Sequence, residues 1–232
     1  CFDITFQGVD ALTTMPRLRR LALSSVGLQD RALESVCRLA ALTDLDISGN
    51  LLITQKSLLR VGNLNMLRRI DLSHLREVDD AVLASIARGA PNWVSVAMNG
   101  ENAVSVTGFK YLTRLPLREL VIRDSAVSSD LVVEVASACP ALEVLILDRS
   151  GTSRNRLSRN ALNVLAGHGS LKVLSLRNQT GLGAEAQGGI GSLRSRQELN
   201  VSGCRAFGDD LADRLLTMIG LRSLNMSGCA VT

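Results

Sequence analysis

Aromatic residues make up only 3% of the 232 residues, with one Trp, one Tyr and four Phe, although 46% of the chain is hydrophobic. The apolar content is therefore aliphatic: 40 of the 232 residues are leucine, about 17% and well beyond ordinary usage. That much aliphatic matter excludes a disordered chain. Lysine is scarce as well, with Lys56, Lys110 and Lys172 the only three among 26 basic residues. A net charge of +4 is far from the concentrated positive charge of a dedicated nucleic-acid binder. No apolar run approaches the roughly 18 residues of a membrane helix, and no signal-peptide layout opens the sequence. The five cysteines (Cys1, Cys37, Cys139, Cys204 and Cys229) are odd in number, scattered and free of any Cys-x-x-Cys pair. Neither a disulfide framework nor a zinc site is expected from them, and an intracellular, cytoplasmic setting is. His74 and His168 are the only histidines, too far apart in sequence for a metal pair, and each reads as a surface or packing residue.

What is present is repetition. The pattern Leu-x-x-Leu-x-Leu begins at Leu18, Leu42, Leu67, Trp93, Leu117, Leu142, Leu171, Arg196 and Leu221, at spacings of 24, 25, 26, 24, 25, 29, 25 and 25 residues. One period accounts for the whole chain, which is the signature of a repeat array. Within each unit the Leu-x-Leu pair, such as Leu21 and Leu23 or Leu145 and Leu147, falls on one face of a short strand, because strand side chains alternate. The ninth position carries Asn50, Cys204 and Cys229, with Ser125 and Ser150 as small substitutes. A buried Asn there would satisfy turn backbone groups, and Cys would act as a small donor in a ladder between turns. Asp30, Asp80, Asp130, Asn160 and Asp210 precede apolar stretches at helical spacing and are expected to cap outer helices. The units around Gln55, Thr107 and Gly183 lack that signal, which predicts shorter or less regular outer segments.

The expected fold is therefore α/β, a leucine-rich repeat solenoid: a right-handed α/β horseshoe with a parallel sheet on its concave face. The chain is expected to form a single domain over residues 1–232, about nine repeats, cut from a longer protein because both ends fall at a similar phase of the repeat and neither carries a polar cap. The period near 25 residues, Cys at the ninth position, Cys139 three residues ahead of Leu142 and the segment Val78-Asp79-Asp80-Ala81-Val82-Leu83 resemble the cysteine-containing leucine-rich repeats of F-box proteins. That resemblance implies a substrate-recognition subunit of a cullin-based ubiquitin ligase. No F-box lies in these residues, and Val26, Leu75, Glu101 and Gln179 depart from Cys at the ninth position.

Catalytic signals are thin. No Gly-x-Ser-x-Gly elbow or Walker loop occurs. Gly181 to Ala186 match Gly-x-Gly-x-x-Ala after an apolar strand, but the period already assigns them to the turn and outer connection of the seventh repeat. The sequons at Asn178, Asn200 and Asn225 read as surface polar residues. No enzyme, cofactor or metal is expected.

The remaining candidate is the strand surface. Val121, Val144, Ile146 and Val173 fall on outward positions of repeats five to seven, edged by Arg123, Asp148 and Arg177, an apolar centre with a charged rim suited to a protein partner. The 29-residue repeat adds a basic loop with Arg149, Arg154, Arg156 and Arg159 as a secondary contact, for an acidic protein surface or nucleic acid. No aromatic interleaves these arginines, which weakens the nucleic-acid reading. Arg20, Asp44 and Arg69 alternate in sign in consecutive repeats and are expected to pair across strands. The function expected is a non-enzymatic protein-interaction module within a larger complex, with a structural subunit of a ribonucleoprotein or cytoskeletal assembly as the alternative.

Overall fold

The computed structural model describes residues 5–100, 104–149, 157–179, 182, 189–190, 193, 196–205 and 207–230, with 210, 212 and 214 described by backbone alone. The chain divides into two compact units, Cys1–Leu117 and Arg118–Thr232. In the first, helix α1 (Phe6–Ala11) leads into β1 (Arg20–Ala22), α2 (Asp30–Val36), β2 (Asp44–Asp46), α3 (Gln55–Leu58), β3 (Arg69–Asp71), α4 (Asp80–Gly89), β4 (Ser95–Ala97) and α5 (Val106–Leu112). The second runs β5 (Glu119–Val121), α6 (Ser129–Ala138), β6 (Val144–Ile146), α7 (Arg159–Gly167), β7 (Val173–Ser175), β8 (Glu198–Asn200), α8 (Asp209–Leu215) and β9 (Ser223–Asn225). Strands β1 to β4, and again β5 to β9, lie side by side in chain order. Neighbouring strands within each unit are parallel with the same repeat positions in register, as in Leu21↔Leu45 and Leu45↔Ile70, or Leu145↔Leu174 and Leu174↔Leu199. Parallel neighbours require a crossover, and among the described residues the outer helices supply it, as α2 does between β1 and β2 and α6 between β5 and β6. This is the α/β leucine-rich repeat architecture.

Counting from the first residue of each motif, positions one, four and six fill the core: Leu42, Leu45 and Ile47 are 0–2% exposed, and so are Leu171, Leu174 and Leu176. Two first positions depart from leucine and are buried all the same. Trp93 is fully buried. So is Arg196, whose guanidinium Nη1 donates to His168 O at 3.0 Å and to Leu171 O, and whose Nη2 donates to Leu165 O. Burial drives the Arg196 pKa down to about 10. His168, also buried, donates from Nε2 to Cys139 O at 2.9 Å and accepts at Nδ1 from Leu171 N–H at 3.2 Å. It is a packing residue, as its isolation in the sequence implies, while His74 is exposed in a turn.

The ninth-position ladder forms. Asn50, 1% exposed, accepts from Val26 N–H and Leu28 N–H at 3.1 and 2.9 Å and donates to Leu23 O and Ile47 O at 2.8 Å each. Cys204 Sγ donates back to Leu176 O at 3.0 Å, and Cys229 Sγ to Val201 O at 3.2 Å. Gln179, a departure from the Cys pattern, makes the same backward contact from Nε2 to Leu147 O. A longer amide thus replaces the thiol with the same geometry.

The capping expectation is corrected. Asp79, Ser128 and Ser158, each one or two residues earlier than the residue expected, cap α4, α6 and α7 by accepting from Val82, Leu131 and Ala161 N–H. Asp30 and Asp80 sit inside the first turn and reach instead to the next repeat. Asp30 accepts from Thr54 N–H at 2.7 Å and from the Thr54 and Ser57 hydroxyls at 2.6 Å. Asp80 accepts from Ser105 N–H at 2.7 Å. Residues at the helix start therefore staple neighbouring repeats through the next cap. The Gln55 unit is irregular as expected, a four-residue α3 continued by a five-residue 3₁₀ turn, whereas the Thr107 unit departs from that expectation, since α5 is seven residues long, as α2 is. Gly183 lies outside the described residues.

Candidate functional site

In the second unit, register decides which outward side chains are neighbours. Position three reads Glu119, Val144, Val173, Glu198, and position five reads Val121, Ile146, Ser175, Asn200. Val144 therefore lies beside Val173, and Val121 beside Ile146, and the two pairs abut along β6. Adjacent parallel strands are about 4.8 Å apart, so the four side chains form one continuous stripe. Val144, Ile146 and Val173 are half-buried, while Val121 is only 8% exposed. Val121 is thus part of the floor of the stripe and not a protruding contact.

Charged rows flank this stripe, and they are tied down. On the strand-entry side Glu143 takes Arg118 Nη1 at 2.8 Å and Lys172 Nζ at 2.7 Å. The hydrogen bond and charge of Lys172, with those of Arg118, hold the Glu143 carboxyl below the usual range. On the strand-exit side Asp148 pairs with Arg123 Nε at 3.4 Å, and its Oδ1 accepts from the Ser175 hydroxyl at 2.5 Å and from Arg177 N–H at 3.0 Å. The Arg177 side chain is exposed. Beyond it, Arg149 grips Asp124 through two of its three guanidinium nitrogens, Nε at 2.7 Å and Nη2 at 2.8 Å. Rims fixed in this way lose little side-chain freedom when a partner docks.

The basic loop is represented by its ends. Arg149 is exposed in the turn after β6 and Arg159 opens α7, also exposed; Arg154 and Arg156 lie outside the described residues.

Polar residues at position five do structural work. Asp46, Asp71, Asn200 and Asn225 each accept, through Oδ1, the N–H of position seven (Ser48, Ser73, Ser202 and Ser227) at 2.8–3.0 Å. This is the Asx turn that ends the strand. The sequons at Asn200 and Asn225 are thereby explained as strand-end caps. Val121 and Ile146 forgo that bond and present hydrocarbon instead.

The first unit forms the expected charge row: Asp44 lies between Arg69 Nη1 at 2.9 Å and Arg20 Nε at 3.9 Å. Burial opposes the Asp44 charge, but hydrogen bonds from Thr43 and Arg69 and the charges of Arg69 and Arg20 hold its pKa below the usual 3.8. A groove of about 380 Å³ opens over β1 to β4, lined by Arg20, Ala22, Asp44, Asp46, Arg69 and Asp71 among others.

Among the described residues no group of three His, Cys, Asp or Glu could hold a metal ion, and no helix is long and apolar enough to cross a membrane. Cys37, Cys139, Cys204 and Cys229 are free thiols. Burial pushes Cys37 up to about 12 and Cys139 and Cys204 to about 11, so none of these three is an activated nucleophile.

No family model matches the chain, and no curated protein matches it by sequence. Solved structures do resemble it. An internalin (inlF) from Listeria monocytogenes superposes with a TM-score of 0.61 at 16% identity, covering 96% of this chain and 65% of that one. Rad7, from the yeast Rad7 and Elc1 complex, gives 0.65 at 18% identity, covering 97% and 67%. TLR13, from a TLR13–ssRNA13 complex, gives 0.61 at 18% identity, covering 95% of this chain and 34% of that chain. At these identities the likeness establishes the fold. The chain spans about two thirds of the internalin and Rad7 chains and one third of TLR13.

Proposed function

We propose that the protein is a non-enzymatic interaction module that captures a protein partner on the strand face of its second unit. The observation that carries this reading is the register that brings Val121, Ile146, Val144 and Val173 into one stripe between two prearranged ion-pair rows. An apolar centre inside a polar rim is the anatomy of a protein contact, and the energy of such contacts concentrates in the desolvated centre. Arg149, Arg154, Arg156 and Arg159 form the secondary contact for an acidic part of the same partner.

The finer version, a substrate receptor of an intracellular ubiquitin ligase, rests on the cysteine-containing repeats around Cys204 and Cys229 and on the likeness to Rad7, which was solved in complex with Elc1. A ribonucleoprotein subunit is the second reading, favoured by the likeness to TLR13 in a complex with single-stranded RNA. No outward strand position from β5 to β9 carries an aromatic ring for base stacking, which supports the protein partner over RNA.

The test is cross-linked affinity purification of the protein and its Ile146→Asp and Val144→Asp variants, with circular dichroism of each. A charge in the stripe abolishes partner capture while the melting profile stays that of the parent. Undiminished capture overturns the reading. Capture that disappears with nuclease treatment moves it to RNA, and co-purification of a ligase adaptor supports the receptor version.

A further inference from the structure

The strand face of the first unit carries its own pattern, separate from the aliphatic stripe. At position three, one carboxylate serves two guanidiniums: Asp44 Oδ1 takes Arg69 at 2.9 Å, while Oδ2 takes the Thr43 hydroxyl at 2.6 Å and lies 3.9 Å from Arg20. Asp44 is engaged through both oxygens, while Arg20 and Arg69 are 82% and 57% exposed, and each guanidinium has five donors. This edge of the groove thus has two exposed guanidiniums around a single carboxylate.

Two residues further along the strands the sign reverses. Asp46 and Asp71 are register partners on β2 and β3, flanked by Ala22 and Ala97. Each uses Oδ1 for its strand-end turn, and neither forms an ion pair among the described residues. Like charges directly opposite on neighbouring strands repel, so a cation placed between them is favoured. The two rows are separated by about 6.6 Å, two residues of strand rise. An extended peptide shows its i and i+2 side chains on one side at the same spacing. The small Ala22 and Ala97 let a peptide backbone come close.

We propose that this groove docks an extended peptide segment with an acidic side chain over Arg20 and Arg69 and a basic side chain, two residues away, over Asp46 and Asp71. A nucleic-acid strand fits less well, because its phosphates would cross the Asp46 and Asp71 row and its bases would meet no aromatic ring. The surface is independent of the stripe around Ile146.

The probe is a library of short peptides, Gly and Ser throughout except at two varied positions two residues apart, panned on the intact protein. The acid-x-base combination is enriched. Arg20→Gln with Arg69→Gln erases the acidic preference alone, and Asp46→Asn with Asp71→Asn erases the basic preference alone, each weakening capture about fivefold, the upper range for an exposed charge pair. The Asn variants keep the folded strand ends, since Asn200 and Asn225 already accept the equivalent N–H at 3.0 Å. Ile146→Asp leaves the selection unchanged, which separates this surface from the stripe. No acid-x-base enrichment, a variant pair that leaves its preference intact, or a short oligouridylate that outcompetes the peptides overturns the proposal.

Discussion

From β1 to β4 the outward fifth position carries Ala22, Asp46, Asp71 and Ala97, and from β5 to β7 it carries Val121, Ile146 and Ser175. Both stretches use the same backbone register and the same buried leucines, so the difference is confined to side chains that the fold leaves free. In the first unit the outward carboxylates double as strand-end caps, and the surface stays polar. In the second, valine and isoleucine give up that cap for apolar area, and the charges withdraw into ion-pair rows on either side. A repeat lattice holds the core constant and lets the strand face vary, which is how one fold acquires two kinds of contact surface.

The ladder behind the strands differs too, and its removal gives the largest expected effect. Asn50→Ala strips partners from two N–H groups and three carbonyls of the first unit, a loss of about 3 kcal/mol by urea unfolding. In the second unit Gly203→Ala is next, at about 2 kcal/mol, because Gly203 has a φ of +71° and an added Cβ would lie 1.9 Å from Asn178 Oδ1. Cys204→Ala costs about 1 kcal/mol, since a thiol is a weaker donor than the Asn50 amide. Were Cys204→Ala as costly as Asn50→Ala, the two ladders would be equivalent and the contrast would fail.

Acid should act on the first unit through Asp30 and Asp44. Burial opposes the Asp30 charge, but hydrogen bonds from Ser57 and Thr54 and the charge of Lys56 outweigh it, and its pKa, like that of Asp44, lies below 3.8. A carboxyl with a depressed folded pKa contributes stability that is present above its unfolded value and is lost as pH falls through the folded one. The urea midpoint therefore drops below about pH 4, and Asp30→Asn combined with Asp44→Asn makes that drop shallower. An unchanged pH profile in the double variant would show that the staples carry no such linkage. The smallest effect concerns thiols: under native conditions an alkylating reagent labels Cys229, which is half-buried, before Cys37, Cys139 or Cys204.

Much of this was legible in the residues. The period located every strand, the leucines of the core and the alternating row of Arg20, Asp44 and Arg69, because each depends on a spacing that one chain can display. The cap positions are not legible there, since Asp79, Ser128 and Ser158 are as good as their neighbours by composition and only the start of the helix distinguishes them. The role of Gln179 is hidden in the sequence because it departs from Cys in identity while matching it in reach. Burial of Val121 was also out of view, as it depends on what the adjoining strands cover.

The turn after each strand separates the two levels of determination most clearly. Position eight has a positive φ in every repeat, from 51° at Arg149 to 85° at Gly100, yet only Gly49, Gly100, Gly203 and Gly228 are glycines there. Ser25, His74, Asp124, Arg149 and Asn178 take the same left-handed conformation because it aims their N–H at the next repeat's carbonyl, as Arg149 N–H does to Arg177 O at 2.8 Å. By itself the sequence determined the period, the inward leucines and hence the repeat fold, since burial of regularly spaced aliphatic side chains admits one lattice. Tertiary structure decided the left-handed turns, the staples between repeats and the burial of Val121 beneath its neighbours. Those features arise only when one repeat meets the next, where a hydrogen bond or a shared apolar surface between residues some 25 apart outweighs the local preference of either.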